Sequence, residues 1–190
     1  MFVDICEEPK TQRQLNLYNY FLFIKNVLKI THVDTVLEMG CGRGTTGLYI
    51  AKYLAKEVSL LDDSEDAIGI AKKQFAAHNL GASYYVRNAL ATGIPDESFD
   101  CVVSIGLAEH FCDINPLFKE QFRLLKKGGV MISLNIPRKF ALYSWNIAMR
   151  SIKKLLGSYK GGIQQDYYRN AYTPETYATA AERAGFKDIT

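Results

Sequence analysis

Residues 36–44 have the sequence Val36-Leu37-Glu38-Met39-Gly40-Cys41-Gly42-Arg43-Gly44. An apolar run with one acid comes first and glycines at alternate positions follow, which is typical of a buried strand that turns sharply into a loop. Thr45-Thr46-Gly47 extend the loop, so that residues 42–47 match the pattern G-x-G-x-x-G. Glycines in this pattern have no Cβ atom, which lets a nucleotide touch the backbone. The stretch therefore predicts a strand, a ligand-binding loop and the first turn of a helix.

The chain on both sides of this loop alternates between strand-like and helix-like patterns. Strands are predicted at residues 33–39, 58–61, 84–86, 99–105 and 130–134, and helices at residues 13–30, 45–56, 64–79, 114–125 and 173–185. Gly128-Gly129 are expected to end the fourth helix before the fifth strand begins. Such alternation predicts an α/β fold, here a three-layer sandwich around a doubly wound, mostly parallel sheet.

The composition is that of one ordinary domain. With 190 residues, 48% hydrophobic and 23% charged, the chain can bury a core and fits neither a disordered nor a membrane-spanning protein. A net charge of +3 is too balanced to indicate a nucleic-acid partner. The acidic start argues against a signal peptide, and four cysteines without a C-x-x-C pair indicate reduced thiols in a cytoplasmic protein rather than a zinc site.

Two acids distinguish between the ligands that such a loop can hold. Asp62 follows the loop by about 20 residues, as the ribose-binding acid of a dinucleotide enzyme does, so a nicotinamide-dependent oxidoreductase is one interpretation. Glu38, two residues before Gly40, would repel a diphosphate but suit a cationic ligand. S-adenosylmethionine has an ammonium, a sulfonium and a ribose, so the electrostatics favour a methyl donor over a dinucleotide.

The same residues resemble a known family, the Rossmann-like (class I) S-adenosylmethionine-dependent methyltransferases of small molecules. Residues 36–44 are similar to its first motif, and Leu61-Asp62-Asp63-Ser64 to the end of its second strand. Later motifs of the family are matched in order by Ile94-Pro95-Asp96-Glu97-Ser98-Phe99-Asp100, Leu124-Leu125-Lys126-Lys127-Gly128-Gly129, Tyr172-Thr173-Pro174-Glu175 and Ala184-Gly185-Phe186. Six matches in the right order are far more specific than the glycine loop alone.

The resemblance implies a donor site at the carboxyl ends of the strands. Its expected contacts are Glu38, Gly40, Cys41, Gly42, Gly44, Asp62, Asp63, Asn88, Ala89 and Ile105. The family often has an acid where this chain has Asn88. The amide oxygen of Asn88 can accept a hydrogen bond from the adenine amino group, so Asn88 is retained as an adenine contact.

The stretch after the fourth strand, residues 104–111, resembles the family's loop that faces the transferred methyl group. His110 in this loop is a candidate general base for the acceptor. The alternative, that His110 only orients the loop through backbone hydrogen bonds, stays open. No third ligand accompanies Glu109 and His110, so no metal is expected.

Residues 137–172 interrupt the alternation with aromatic and basic residues. They are predicted to form a substrate lid, with Tyr143, Trp145 and Tyr168 as acceptor contacts. A surface helix that packs on the core is the alternative, and peripheral membrane contact through the bases is a second option.

Together these inferences predict a single methyltransferase domain. Its parts are a helical cap (1–32), a donor-binding core (33–136), the lid (137–172) and a helix with the start of a strand (173–190). Direct in-line transfer of a methyl group to a small-molecule or lipid-like acceptor is the expected reaction, and a donor-binding protein without transferase activity is a further alternative. Family members continue into two more strands, so the sheet is expected to lack its last one or two strands and to expose a strand-five edge through which an oligomer can form.

Overall fold

The structure is a computed structural model that describes residues 11–54, 56–135 and 168–190. Its helices are α1 (Gln12–Ile30), α2 (Thr45–Leu54), α3 (Glu65–Ala77), α4 (Asn115–Leu124) and α5 (Pro174–Ala184). Its strands are β1 (Thr35–Met39), β2 (Glu57–Asp62), β3 (Ser83–Val86), β4 (Phe99–Ile105) and β5 (Leu125–Leu134), and a 3-10 turn spans Ala108–His110. Most of the predicted lid, including Tyr143 and Trp145, lies outside the described residues.

The five strands form one parallel sheet in the order β3-β2-β1-β4-β5. The order reverses between β1 and β4, and in such sheets ligands bind at that point, outside the carboxyl ends of the strands. Helices cover both faces, so the predicted three-layer α/β fold is confirmed.

The core has two parts, one on each face of the sheet. On one face, Ile24 of α1, Leu48 of α2 and Phe75 of α3 are fully buried against the strands. On the other face, Phe118 of α4 packs against the sheet, and α5, with its buried Ala181, packs on α4. The helix α1, which is part of the predicted N-terminal cap, therefore contributes buried side chains to the core of the domain.

Local signals correctly predict the start of α3 and both ends of α5. The Ser64 hydroxyl accepts a hydrogen bond from the Ala67 N–H at the start of α3. The Thr173 hydroxyl accepts one from the Thr176 N–H at the start of α5, with Pro174 in the first turn. Gly185, at φ +114°, ends α5.

The prediction that Gly128-Gly129 end the fourth helix is wrong. The helix α4 already ends at Leu124, β5 begins at Leu125, and both glycines lie inside that strand. They occupy an irregularity in register, where Phe99 and Cys101 of β4 face Leu125 and Val130. A Cβ atom on Gly129 would lie 2.9 Å from the Lys126 carbonyl oxygen in the same strand and 3.0 Å from the Asp100 carbonyl oxygen of β4, so this irregularity leaves too little room for a side chain.

The outer edge of β5 has no strand partner among the described residues. A groove of about 1470 Å³ runs along it and is lined by Val130, Ile132 and the exposed Phe23 and Phe122, among others. Within the described part of the chain, none of the helices has the length and apolar character required to span a bilayer.

A charged network fixes the loop before β4 onto α4. The Glu120 carboxylate accepts hydrogen bonds from the Thr92 N–H (2.8 Å) and hydroxyl (2.6 Å), and it pairs with Arg123 at 2.7 Å. Arg123 also donates to the Ile94 carbonyl oxygen and to Asp96. The hydrogen bonds from Arg123 and Thr92 lower the pKa of Glu120 to about 2.

We expect Glu120→Gln to lower the free energy of unfolding at pH 7 by about 1–2 kcal/mol, because the charge-assisted bonds weaken. The folded-state pKa is depressed, so this stabilisation is complete above the ordinary value of 4.5 and is lost as the pH falls toward 2. Urea unfolding of both proteins should therefore show a difference at pH 7 that shrinks below pH 4.5. The exposed Glu182→Gln on α5 is the control, and an equal pH dependence of all three proteins would contradict the prediction.

Candidate active site

The glycine-rich loop folds over the carboxyl end of β2. The N–H groups of Gly40 and Cys41 both donate to the Leu61 carbonyl oxygen, at 2.8 and 3.0 Å. The Gly44 N–H then donates to the Cys41 carbonyl oxygen at 2.8 Å and closes a tight turn before α2. These bonds hold the loop beside the point where the strand order reverses.

Glycines in the loop have two different functions. A Cβ atom on Gly44 would lie 2.9 Å from both Ala71 and Leu60, so this glycine permits α2, α3 and the sheet to pack closely. Gly42 has φ +51°, and a Cβ atom there would meet nothing within 4 Å. The space beside Gly42 is therefore open, so a ligand can approach its main chain there.

Glu38 is almost fully buried at the end of β1, 4% exposed. Its Oε2 accepts a hydrogen bond from the Gly47 N–H at 2.8 Å, and a second bond involves the Thr46 side chain. Glu38 thus binds the first turn of α2, a function that the sequence analysis did not predict.

Burial changes the electrostatic argument made from the sequence. Desolvation, with a smaller contribution from the nearby Asp62, raises the pKa of Glu38 to about 8, although the hydrogen bonds from Gly47 and Thr46 act to lower it. At pH 7 the group is therefore largely protonated unless a cation lies beside it. The repulsion of a diphosphate that we expected from Glu38 is correspondingly weaker, whereas a cationic ligand would still favour the ionised form.

Asp62 joins two loops at the end of β2. Its Oδ2 accepts from the Gly42 N–H at 2.8 Å and its Oδ1 from the Ser64 N–H at 3.0 Å. Each carboxylate oxygen has a further lone pair, so the half-buried group can still accept hydrogen bonds from a ligand. Asp62 and Gly42 therefore lie together, as the sequence predicted.

Asn88 lies in the loop after β3, next to this pair. Its Oδ1 accepts from the Leu90 N–H at 2.8 Å, which commits one lone pair to the turn, and the residue is exposed. Ala89 is buried. The Arg87 N–H donates to the Asp62 carbonyl oxygen and connects the two loops.

The other predicted donor contacts also lie near the carboxyl ends of the strands. Asp63 is exposed before α3, and Ile105 is half-buried at the end of β4. Cys41 is buried, and desolvation followed by the charges of Glu38 and Asp62 raises its pKa. Its thiol therefore stays protonated and packs as an apolar group.

His110 lies in the 3-10 turn after β4. Its Nδ1 lies 2.8 Å from the Tyr168 carbonyl oxygen. Because a carbonyl group only accepts, Nδ1 carries the hydrogen, and the neutral ring has its acceptor lone pair on Nε2. This tautomer is compatible with both interpretations of His110, the general base and the residue that orients the loop.

Tyr168 is the predicted acceptor contact that the structure describes. Its side chain is 55% exposed, and its backbone rather than its ring binds His110. Tyr143 and Trp145 lie outside the described residues. In the described ranges no group of three His, Cys, Asp or Glu side chains is arranged to hold a metal ion.

Sequence reasoning missed Asn170. This residue is 2% exposed and binds the loop around His110 through its backbone and its side chain. No motif marks it, because its partners in the His110 loop lie about sixty residues earlier in the chain. Its place two residues before the matched Tyr172-Thr173-Pro174-Glu175 was the local signal that could have found it.

Comparison with known proteins agrees with this geometry. The family model described as a methyltransferase domain matches residues 36–129. The sterol 24-C-methyltransferase of Aspergillus fumigatus is 32% identical over 114 residues, which are 58% of this chain and 27% of that protein. The ubiquinone biosynthesis O-methyltransferase of Sinorhizobium fredii is 27% identical over 152 residues, 80% of this chain and 59% of that protein.

Solved structures share the fold. Phosphoethanolamine N-methyltransferase 2 of Haemonchus contortus, solved in complex with S-adenosyl-L-methionine, superposes with a TM-score of 0.70 at 21% identity, covering 91% of this chain and 38% of that one. The chain spans between about a quarter and three fifths of the length of the curated relatives it matches. No support appears for the nicotinamide alternative. On the match of residues 36–129 and the shared fold, the chain belongs to the methyltransferase domain family, with the Rossmann-like class I fold.

Proposed function

We propose that this chain binds S-adenosylmethionine at the glycine loop and transfers its methyl group directly to a small-molecule or lipid-like acceptor. The observation that carries the proposal is the open space at Gly42, bordered by the carboxylate of Asp62 and followed along the sheet edge by the loop of Asn88. A ligand with a ribose fits an acid at this position. The family to which residues 36–129 belong supports the same ligand.

The residues present fit this donor in charge and in hydrogen-bonding capacity. In this proposal, the donor lies against the main chain of Gly42. The Asp62 carboxylate accepts hydrogen bonds from the ribose hydroxyls, and the Asn88 amide binds the adenine. Buried Glu38 supplies a carboxylate that ionises readily once a cationic group lies close to it. Gly40, Cys41, Asp63, Ala89 and Ile105 complete the proposed contacts.

Bound S-adenosylmethionine supplies a methyl group that its sulfonium charge already activates toward in-line attack. The contribution of the chain is then position and proton transfer. The loop after β4 places His110, whose Nε2 can take the proton that the acceptor loses. The predicted lid contacts Tyr143, Trp145 and Tyr168 remain candidates for holding the acceptor.

The acceptor class is proposed from the relatives. Their names refer to a sterol, to ubiquinone biosynthesis and to phosphoethanolamine, and they include C-, O- and N-methyltransferases. A small metabolite or lipid-like molecule agrees with all three, and the basic segment 138–160 makes peripheral membrane contact part of the proposal. A cytoplasmic location is supported by the free thiols Cys41, Cys101 and Cys112, and the β5 edge is the proposed contact for an oligomer.

Calorimetric titration with S-adenosylhomocysteine and, separately, with NAD tests the ligand. Binding of the first alone supports the proposal, and binding of NAD alone overturns it. Incubation with labelled donor and a cell extract, followed by mass identification of the labelled product, then identifies the acceptor. Donor affinity without methylation of any component would instead favour a donor-binding protein without transferase activity.

We expect Asp62→Ala to weaken S-adenosylhomocysteine binding by about 1–3 kcal/mol, because the ribose hydroxyls lose a charged acceptor and the Gly42 N–H loses its partner. Calorimetry measures the change, and circular dichroism confirms that the fold is intact. Asp66→Ala, an exposed acid in the first turn of α3, is the matched control and should bind normally. Unchanged affinity of Asp62→Ala would remove Asp62 from the donor site.

A further inference from the structure

We propose that Asn170 is a positioning residue that sets the orientation and the tautomer of His110. The inference rests on the proposed function, in which His110 receives the acceptor proton. It goes further by assigning the placement of that base to residues 168–172, the last part of the predicted lid, which the structure describes.

The first observation is that every hydrogen-bonding group of the Asn170 amide has a partner. Its Nδ2 donates to the carbonyl oxygens of Ala108 and Phe111, both at 3.0 Å. Its Oδ1 accepts from the Tyr177 hydroxyl at 2.7 Å and from the Tyr172 N–H at 3.4 Å. An amide uses two donors and two acceptors here, so neither aspartate nor a hydroxyl residue can replace it fully.

The second observation is that the 3-10 turn depends on these bonds. It has three residues, and its own backbone bonds are His110 N–H to the Leu107 carbonyl (3.0 Å) and Phe111 N–H to the Ala108 carbonyl (3.3 Å). So short a turn has little stability by itself. The Asn170 N–H adds a 2.7 Å bond to the Glu109 carbonyl oxygen, so the backbone on both sides of His110 is held from residue 170.

The third observation joins the same segment to the imidazole. Tyr168, two residues before Asn170, presents the carbonyl oxygen that accepts from His110 Nδ1 at 2.8 Å. The Tyr172 hydroxyl binds the Cys112 carbonyl oxygen on the other side of the turn. Anchoring Asn170 therefore positions the Tyr168 carbonyl, which selects the Nδ1–H tautomer and leaves the basic lone pair on Nε2.

The deciding experiment is nitrogen-15 NMR of the histidine rings in the full chain. The chain has three histidines, so His110→Ala identifies the His110 signals. We expect the wild type to show one tautomer at His110, with Nδ1 protonated. Asn170→Asp has the same shape but no donors for the two carbonyl groups, so it should show a mixture of tautomers at His110 and unchanged signals for His32 and His78.

A second variant covers the case in which a buried carboxylate prevents folding. Asn170→Ser is neutral, and its single hydroxyl can hold at most one of the two carbonyl groups. It should shift the His110 tautomers in the same direction. Thr173→Ala, which removes the cap of α5, is the control for general destabilisation and should leave the His110 spectrum unchanged.

Kinetics with the acceptor identified by labelling give a second reading. We expect Asn170→Ser to lower kcat by about 10²-fold through misplacement of the base, to shift the acidic limb of the pH profile and to keep donor affinity. A single Nδ1–H tautomer in the folded variants would overturn the inference. If the tautomers shift but the chain methylates no acceptor, the proposed function fails while the positioning of His110 by Asn170 stands.

Discussion

Without donor, Glu38→Gln is expected to be more stable than the wild-type chain at pH 8. Burial raises the pKa of Glu38 from 4.5 to about 8, so between these values the folded chain keeps a proton that the unfolded chain releases. The free energy of unfolding of the wild type therefore falls as the pH rises through this window, by up to about 5 kcal/mol. The amide of the variant does not titrate, so its stability lacks this loss.

Urea unfolding of both proteins at several pH values from 4.5 to 8 measures the effect. The curves should be close at the acidic end and should separate as the pH rises. Glu182→Gln on α5, where the side chain is exposed, is the control and should follow the wild type. If Glu38→Gln also follows the wild type throughout, then Glu38 is ionised in the folded chain and burial does not raise its pKa.

In donor affinity, the order of the two proteins should be the opposite of their order in stability, with the wild type ahead of Glu38→Gln. A cationic ligand beside Glu38 favours its ionised form, so binding to the wild type releases a proton and strengthens as the pH rises toward 8. Glu38→Gln should bind S-adenosylmethionine at least about tenfold more weakly at pH 8, with little pH dependence. Calorimetry in buffers of different ionisation enthalpy counts the released protons, and their absence in the wild type would place the cationic groups away from Glu38.

The contrast between Glu38 and Thr173 explains which features the sequence could predict. Thr173 caps α5 through an N–H three residues later, so local spacing was sufficient. The strands were predictable for a similar reason, because each is a short apolar run between turn residues. Glu38 was placed correctly at the end of β1, but its charge depends on burial by distant elements, which the sequence does not encode locally.

Gly128 and Gly129 were misinterpreted because their role depends on a neighbouring strand. Two adjacent glycines normally end a helix. Here Asp100 of β4 pairs with Lys126 at 2.9 Å and approaches β5 so closely that a side chain at residue 129 would collide with it. Such a contact across the sheet cannot be seen in one segment of sequence.

Asn170 is a functional-site residue that the sequence could not predict for the same reason, because its function depends on contacts with a distant segment. The glycine loop, Glu38 and Asp62 lie within 25 residues and could be found from spacing alone. Asn170 binds Ala108 and Phe111 from about sixty residues away. Its function is visible only when the carboxyl end of β4 and the start of α5 are placed together.

His110→Ala is expected to lower kcat by about 10²-fold or more while the dissociation constant of S-adenosylhomocysteine stays near that of the wild type. The imidazole lies on the loop after β4, where its Nδ1 donates a hydrogen bond to the Tyr168 carbonyl oxygen. Loss of the ring should therefore affect proton transfer and acceptor placement more than donor binding. His32→Ala is the control, because His32 is exposed and lies before β1, at the amino ends of the strands and away from the donor site.

His110→Asn separates the two interpretations of this residue. The amide of the variant can still donate a hydrogen bond toward the Tyr168 carbonyl oxygen, as Nδ1 does, but it cannot accept a proton at neutral pH. If His110 is the general base, turnover of His110→Asn should be as low as that of His110→Ala. If the residue only orients the loop, His110→Asn should recover most of the wild-type kcat, and the base must then be the acceptor itself, water or another side chain. Steady-state kinetics with the identified acceptor, across the pH range that includes the ordinary histidine pKa of about 6.5, decide between them.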